Sequence, residues 1–316
     1  MSTTGERASD ATVIFDLGGV VLTWEPQRAY EQVLASDRVR EFMGLIDFPA
    51  WNASHDGGRR FSEGEAALVA AHPEHETAIL AYRKYFPATL TGVVPGTGAV
   101  MAELAAAGVR LLALTNWSDE TFPHARERFG LLRRFEDILV SGAEGVAKPD
   151  PAIFRLALQR FGLDAGSTVF VDDVARNVAA AEAVGIAGHR FTDADRLRAI
   201  LVDRGLLSAR PPLREAVYHL ADRAAWQAAE AGGRYPWSSR GLGYDAEGFV
   251  HCALTHQLPE VLDRHFDDVD WADLMLLELD AARLPVVVED LGAGPFPHLF
   301  AELTPAMVRG AEAGRS

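Results

Sequence analysis

Residues 13–21 read Val-Ile-Phe-Asp-Leu-Gly-Gly-Val-Val: three apolar residues that open a strand, then Asp16 on a turn loosened by Gly18 and Gly19. A strand ending this way delivers the aspartate to the carboxyl edge of a sheet, where α/β proteins bind their ligands. Alone the motif is weak, because a strand followed by an aspartate-containing turn is a common way to reverse a chain. The stretches around it give it weight. RLLALT at 110–115, DILVS at 137–141 and TVFV at 168–171 are further short apolar runs, separated by longer helix-like segments. This alternation predicts an α/β fold with a parallel sheet. Within PAIFRLALQRF, residues Ile153, Phe154, Ala157, Leu158 and Phe161 fall on one helical face, which would pack against that sheet.

The segment from about residue 23 to residue 90 lies between the first strand and the next clear one. It is rich in helix formers and aromatics, among them Trp24, Tyr30, Phe42, Trp51, Tyr82, Tyr85 and Phe86, and reads as a helical insertion over the carboxyl ends of the strands. Ser208 to Pro212 (SARPP) is the best candidate boundary, giving domains of residues 1–210 and 211–316. Beyond it the texture changes. Histidines and tryptophans concentrate, and LMLLEL at 274–279 and PVVVED at 285–290 read as strands of a smaller α+β or mostly β domain.

Composition excludes several function classes. The 316 residues carry 30 basic and 45 acidic side chains, a formal charge of −15, so no basic stripe is available to grip a phosphate backbone and nucleic acid is not an expected partner. No apolar run approaches the roughly 18 residues of a membrane helix, and the polar opening MSTTGERASD lacks an apolar signal core. A cytoplasmic location is expected, with no membrane partner. Cys252 is the only cysteine, so neither an intrachain disulfide nor a cysteine zinc site can form. Any metal would be held by carboxylates, carbonyls or histidines.

Three more stretches carry chemistry. ALTNWS ends a strand in Thr115 and Asn116, which alone reads as a helix N-cap. GVAKPDPAIF places Lys148 before a turn that opens a helix at Asp150-Pro151; an isolated lysine there is ordinarily just solvated. TVFVDDVARNVAAAEAVG delivers adjacent Asp172 and Asp173 from a buried strand into a loop, and two adjacent like charges ask for a compensating cation.

The four motifs, in this order and each at a predicted strand end, give residues 11–205 a resemblance to the haloacid dehalogenase superfamily of hydrolases, and within it to the FDLGGV-type phosphatases, which include sugar-phosphate phosphatases. The resemblance implies a Rossmann-like core with a helical cap. It implies Asp16 as the nucleophile that forms an aspartyl-phosphate. It implies Mg²⁺ held by the carboxylate of Asp16, the carbonyl of Gly18 and the carboxylate of Asp173, with Asp172 as a second ligand or outer partner. Thr115 and the adjacent backbone amides would hold the phosphoryl oxygens, with Asn116 beside it among the catalytic residues, Lys148 would neutralise charge, and Asn177 would support the site where many relatives carry a carboxylate.

One departure matters. Most phosphatases of the superfamily carry a second aspartate two residues after the nucleophile, as general acid and then base; here that position is Gly18. The metal keeps its main-chain ligand, but proton transfer loses a group worth about 10²- to 10⁴-fold. A substrate with an acidic leaving group, such as a sugar 1-phosphate, would need little protonation; alternatively a cap residue, His55, Asp56 or Glu63, takes over. A third option is a 2-haloacid dehalogenase, which also lacks the second aspartate and expels halide without a metal. The Asp172-Asp173 pair favours the phosphatase. A degraded site in a non-catalytic, regulatory protein is the remaining alternative.

Substrate specificity is expected from the cap. Arg59 and Arg60 could clamp an anion, or be solvated surface residues. Trp24 and Trp51 could stack on a sugar face, or belong to the cap core. His72, His75 and His124 show no ligand spacing.

Residues 214–310 contain AVYHLADRAAWQAA, GFVHCAL, LMLLELDAARL, VVVEDLG and FPHLF in that order. They resemble a small bacterial domain family of unknown function, itself associated with the ADP-ribosyltransferase-like fold. That association implies a nucleotide cleft faced by His219 and His251, with Glu289 or His298 as a further polar group; the glutamate context of the well-known transferases is not clearly present. Read from the residues alone, His219 and His251 sit in apolar runs where hydrogen-bonded structural histidines are common. The Gly-rich stretch 232–244 reads as a mobile loop, and Gly96-Thr97-Gly98 as a turn opening a helix.

Overall fold

The computed structural model of the chain describes residues 11–209, 213 and 215–314. The polar opening segment and Arg210–Pro212 of the SARPP boundary lie outside the described residues. The chain packs as two units: 1–94, 108–128 and 132–197 form the first, and 95–107, 129–131 and 198–316 the second.

In the first unit, β1 (Thr12–Phe15) leads through the Asp16 turn to β2 (Leu22–Trp24). Helices α1 (Gln27–Tyr30), α2 (Ser36–Leu45), α3 (Phe48–Asp56), α4 (Phe61–Ala71) and α5 (Glu76–Lys84) follow, and β3 (Leu90–Val93) closes the excursion by pairing antiparallel with β2. The insertion therefore leaves and re-enters the core through one two-stranded ribbon, which its aromatic content had concealed. Its helices are joined by a ring cluster: Tyr30 packs on Phe42, Phe48 and Tyr82, and Trp51 on Phe61 and Tyr82, with centroids 5.2–5.9 Å apart. Glu65, buried among these helices, is held bidentately by Arg83 at 2.9 and 2.7 Å, which neutralises a charge that burial would otherwise penalise.

After β3 comes α6 (Thr97–Ala106), opened by Gly96 at φ +80° and packed within the second unit. The core resumes with β4 (Arg110–Thr115), α7 (Phe122–Arg128), β5 (Asp137–Val140), α8 (Ser141–Glu144), α9 (Pro151–Phe161), β6 (Thr168–Asp172), α10 (Ala175–Glu182), β7 (Ala187–Arg190) and α11 (Ala194–Asp203), whose last turns pass into the second unit. Five strands pair in parallel in the order β5-β4-β1-β6-β7. Parallel sheets are covered on both faces, and accordingly every residue of β1 and β6 is buried. Helix α9 behaves as its spacing predicts. Pro151 occupies its first turn, Asp150 accepts the Ala152 N–H at 2.8 Å, and Gly162 at φ +65° ends it. Its Phe154 meets Phe170 of β6 edge-on at 5.2 Å. Truncating such a ring to alanine costs about 3–5 kcal/mol.

The second unit continues with β8 (Val217–Asp222), α12 (Arg223–Gly232), β9 (Trp237–Ser239), β10 (Leu242–Gly243), α13 (Tyr244–Glu247), β11 (Val250–His251), β12 (Ala253–Leu254), α14 (Leu258–His265), β13 (Leu274–Leu279), β14 (Val286–Asp290), β15 (Pro295–Leu299) and β16 (Val308–Ala313). Two antiparallel sheets form, β12-β8-β13-β16 and β11-β15-β14. The glycine-rich stretch expected as a loop instead folds back as the β9–β10 hairpin, with Gly241 at φ +71° in its turn. Among the described residues, no helix is long and apolar enough to cross a membrane.

Candidate active site

Strands β4, β1 and β6 are neighbours, so their carboxyl ends bring Thr115, Asp16 and Asp172 together although they are distant in sequence. The Asp16 N–H donates to the Val171 carbonyl at 2.8 Å, and the Leu17 N–H donates to Asp16 Oδ1 at 2.7 Å. The outer carboxylate oxygen of Asp16 is thereby left to face Lys148.

Lys148 is the electrostatic hub. Its Nζ lies 2.8 Å from Asp16 Oδ2 and 2.7 Å from Asp172 Oδ2, and donates to the Leu114 carbonyl at 2.9 Å, so its three donors are all engaged. Asn116 fixes this lysine. Its Nδ2 donates to the Lys148 carbonyl and its Oδ1 accepts the Lys148 N–H, both at 2.8 Å. Both ends of the Asn116 amide are thus occupied by the Lys148 backbone, so Asn116 holds the lysine loop in place. Thr115 ends β4 and is buried beside it.

The paired aspartates divide their work. Asp172 is fully buried and accepts from Lys148, from the Val174 N–H at 2.8 Å and from Asn177 Nδ2 at 3.1 Å on each oxygen. A carboxylate has about four lone-pair sites, and here they are all used. Asp172 therefore suits the outer role, orienting Lys148. Asp173 is half-buried and more open, and its carboxylate lies where a Cβ on Gly19 would come within 2.7 Å of Oδ2. Gly19, at φ +75°, is thus required for both its backbone and the room it leaves. At Gly18 a Cβ would meet nothing within 4 Å.

One oxygen from each of Asp16, Asp172 and Asp173 lies within 4.8 Å of the others, an all-oxygen donor set. Three carboxylates against one ammonium leave negative charge uncompensated. Burial pushes the Asp16 carboxyl up to about 7 against the opposing pull of Lys148, and burial with Asp172 beside it raises Asp173. A hard divalent cation such as Mg²⁺ fits these residues, since it would supply the missing charge and takes oxygen ligands.

The expected cap residues separate. Arg60, considered for an anionic substrate, instead pairs with Asp119 of the loop after β4 at 3.0 Å, and the Phe61 N–H donates to Glu120 at 2.9 Å. Arg59 is exposed and its guanidinium donates to the Glu63 carbonyl at 3.4 Å. Trp24 is 37% exposed and leans on Phe48, whereas Trp51 is core. Among the proton-transfer candidates, Glu63 is exposed on α4 and His55 is buried between Trp51 and Phe61 with Nδ1 on the Arg59 carbonyl. Asp56, at the end of α3, points the other way. It feels the Lys148 charge and accepts the Ser118 N–H, and its Oδ2 accepts Asn52 Nδ2 at 3.0 Å. Ser141 ties the same point of the cap down, donating to the Asp56 carbonyl at 2.6 Å while accepting the Trp117 N–H. Asn52 lies in no motif, and although Ser118 and Ser141 end the ALTNWS and DILVS stretches, nothing in the sequence assigned either of them to Asp56.

In the second unit the structure also brings the four expected residues together. His298 of β15 lies opposite His251 of β11, their rings 5.1 Å apart edge to face. His298 Nδ1 lies 2.9 Å from Glu289 Oε1, both residues being buried. His219 of β8 donates its Nδ1–H to the His251 carbonyl at 2.8 Å, since a carbonyl can only accept. Burial pushes His219 and His251 down to about 4. The three imidazoles line a cavity of about 520 Å³, walled on its other sides by Phe266, Phe296 and Arg264.

Comparison with known proteins places this geometry. Residues 11–185 match the haloacid dehalogenase-like hydrolases, and residues 220–311 match a protein family of unknown function (DUF952). The chain is 28% identical to the sesquiterpene phosphatase AstK of Aspergillus oryzae, over 57% of this chain and 89% of that protein. It is 30% identical to a phosphoglycolate phosphatase of Cereibacter sphaeroides, over 50% of this chain and 73% of the relative. With a phosphoserine phosphatase of Thermus thermophilus it shares 33% identity, but over only 43% of that protein. A HAD family enzyme from Bacteroides thetaiotaomicron shares the fold, with a TM-score of 0.50 at 17% identity over 61% of this chain and 98% of that one.

Proposed function

The chain belongs to the haloacid dehalogenase-like hydrolase family, and on that premise we propose that it is a Mg²⁺-dependent phosphatase of a small phosphorylated metabolite, of which sugar phosphates are one class. The observation that carries this reading is the arrangement of Asp16, Lys148, Asp172 and Asp173, in which a nucleophilic carboxylate is held against one ammonium and two further carboxylates. Three of its relatives are named as phosphatases, a sesquiterpene phosphatase, a phosphoserine phosphatase and a phosphoglycolate phosphatase, and these names point the same way. In this reading Asp16 Oδ2 attacks phosphorus to give an aspartyl-phosphate, and Lys148 balances the charge that grows on the phosphoryl oxygens. Asp16, Asp173 and the Gly18 carbonyl would hold Mg²⁺, which when bound shields the negative phosphate from the carboxylate that attacks it.

A panel of phosphorylated metabolites, with wild type and Asp16→Asn and with and without Mg²⁺, tests the proposal. Phosphate release by wild type only, and only with metal, is the expected result. Turnover of 2-haloacids with halide release in chelator would replace it with the dehalogenase reading. A biological effect that survives Asp16→Asn would replace it with a regulatory one.

For the second unit, the cavity at His219, His251 and His298 supports a nucleotide-type ligand, being of a size that takes small molecules and lined by both aromatic and polar groups. Calorimetric titration of the full chain with NAD and ADP-ribose tests this, and absence of heat at millimolar ligand would remove it.

A further inference from the structure

We propose that Asp56 is the general acid and base of the Asp16 site, supplying from the cap the proton transfer that the glycine at position 18 cannot. The proposal rests on the phosphatase reading. Its geometric basis is the end of α3. There the Asp56 carboxylate accepts the Ser118 N–H from the loop that follows Thr115, its main-chain carbonyl accepts the Ser141 hydroxyl at 2.6 Å, and the charge of Lys148, the ammonium that touches Asp16, pulls against the effect of its burial. The groups around it are few. Asn52 donates to its Oδ2 at 3.0 Å, and Asn52 Oδ1 in turn accepts the hydroxyl of Tyr82 from α5 at 3.0 Å. Among the described residues, Lys148 is the cation that acts on it, and Tyr82 feels its charge from the cap side. Asn52 and the Ser118 amide thus hold the carboxylate in one orientation, and the Ser141 bond to its carbonyl fixes the backbone beneath it. Burial raises the carboxyl to about 7, where a single group can give a proton in one step and take one in the next.

The two steps balance. As Asp16 Oδ2 bonds to phosphorus and the ester P–O bond breaks, the protonated Asp56 gives its proton to the leaving oxygen and the alcohol departs. Water then attacks phosphorus of the aspartyl-phosphate; Asp56 takes one of its protons, the P–O bond to Asp16 breaks, and phosphate leaves with both carboxyl groups restored.

Leaving-group chemistry distinguishes this role from a structural one. With an alkyl phosphate, whose alcohol is a poor leaving group, Asp56→Asn is expected to lower kcat by about 10²- to 10⁴-fold. With 4-nitrophenyl phosphate, whose phenolate leaves unaided, the first step survives and the second does not. The expected trace is a burst of about one nitrophenolate per site followed by slow turnover, with acid-stable phosphate trapped on Asp16 by mass spectrometry. Gly18→Asp has room for its side chain, and in the Asp56→Asn background it should restore alkyl-phosphate turnover by at least about tenfold. Wild-type activity with Asp56→Asn within about threefold of it on alkyl phosphates would overturn the role of Asp56 alone. Equal losses on both substrates with no burst and no rescue would do the same. A wild type inactive on every phosphate ester would instead overturn the phosphatase reading beneath it.

Discussion

At the scale of single residues, the site combines groups that each weaken the fold. Asp56 is a partly enclosed carboxyl whose only ionic help comes from Lys148, already shared between Asp16 and Asp172. Its folded-state pKa of about 7 lies above the ordinary value of 3.8, so between those values the native state binds more protons than the unfolded one. Stability contributed by this group is therefore present at low pH and lost as pH rises through 7. Asp56→Asn, which cannot ionise, escapes that loss. The variant's melting temperature relative to wild type should rise between pH 5 and pH 8, read by calorimetry at each pH without added metal. A constant difference across that range would mean that Asp56 ionises as freely in the folded protein as in the unfolded chain. The sequence named Asp56 as one of three cap candidates but could not choose among them, because His55, Asp56 and Glu63 differ only in which way the end of α3 and the start of α4 turn. His55 turns into the aromatic core, Glu63 to solvent and Asp56 to the core loop.

At the scale of elements, what was legible followed periodicity and burial. The strands that lead to Asp16, Thr115 and Asp172 are short runs of apolar residues that favour the interior, so their positions, and with them Asp16 and the acidic pair at their ends, could be placed from sequence. Elements with weak apolar content were not legible. β7, with the sequence AGHR, is a strand only because β6 offers it an edge. The β2–β3 ribbon is hidden inside a helix-rich stretch because its pairing is between residues 22–24 and 90–93. Roles set by pairing across elements were missed for the same reason. Arg60 looked free to meet an anion, yet Asp119 arrives from a loop 59 residues away. Asn116 read alone as a helix N-cap, yet its amide closes on the Lys148 backbone. Position along the chain shows what a side chain can do, whereas its partner decides what it does.

At the scale of the whole molecule, the informative feature is α6. It lies in sequence inside the hydrolase segment, between β3 and β4, and a linear reading gives it to the first domain. The structure packs it in the second unit, where Ala99 and Ala102 join Phe249, Val287 and Phe300 in one buried cluster. A Cβ on Gly98 would come within 2.7 Å of the Phe300 ring, so the helix and that ring are in close contact. The chain therefore enters the second unit at residue 95, returns to the first at 108, joins the second again over residues 129–131, and passes into it once more after 197. Cutting the protein at the SARPP boundary would leave α6 attached to a fragment that lacks Phe249, Val287 and Phe300. Exposed apolar faces of this kind drive association. Residues 1–209 expressed alone should thus melt several degrees below the intact chain and form soluble aggregates, as measured by calorimetry and by size-exclusion chromatography with light scattering. The acidic excess acts against this outcome, since strong like charge keeps chains apart at low salt. Aggregation of the fragment should accordingly increase as salt screens that repulsion, while the intact chain stays monodisperse under the same conditions. A fragment that remains monomeric at high salt and keeps the melting temperature of the intact protein would show that α6 needs no partner from residues 210–316.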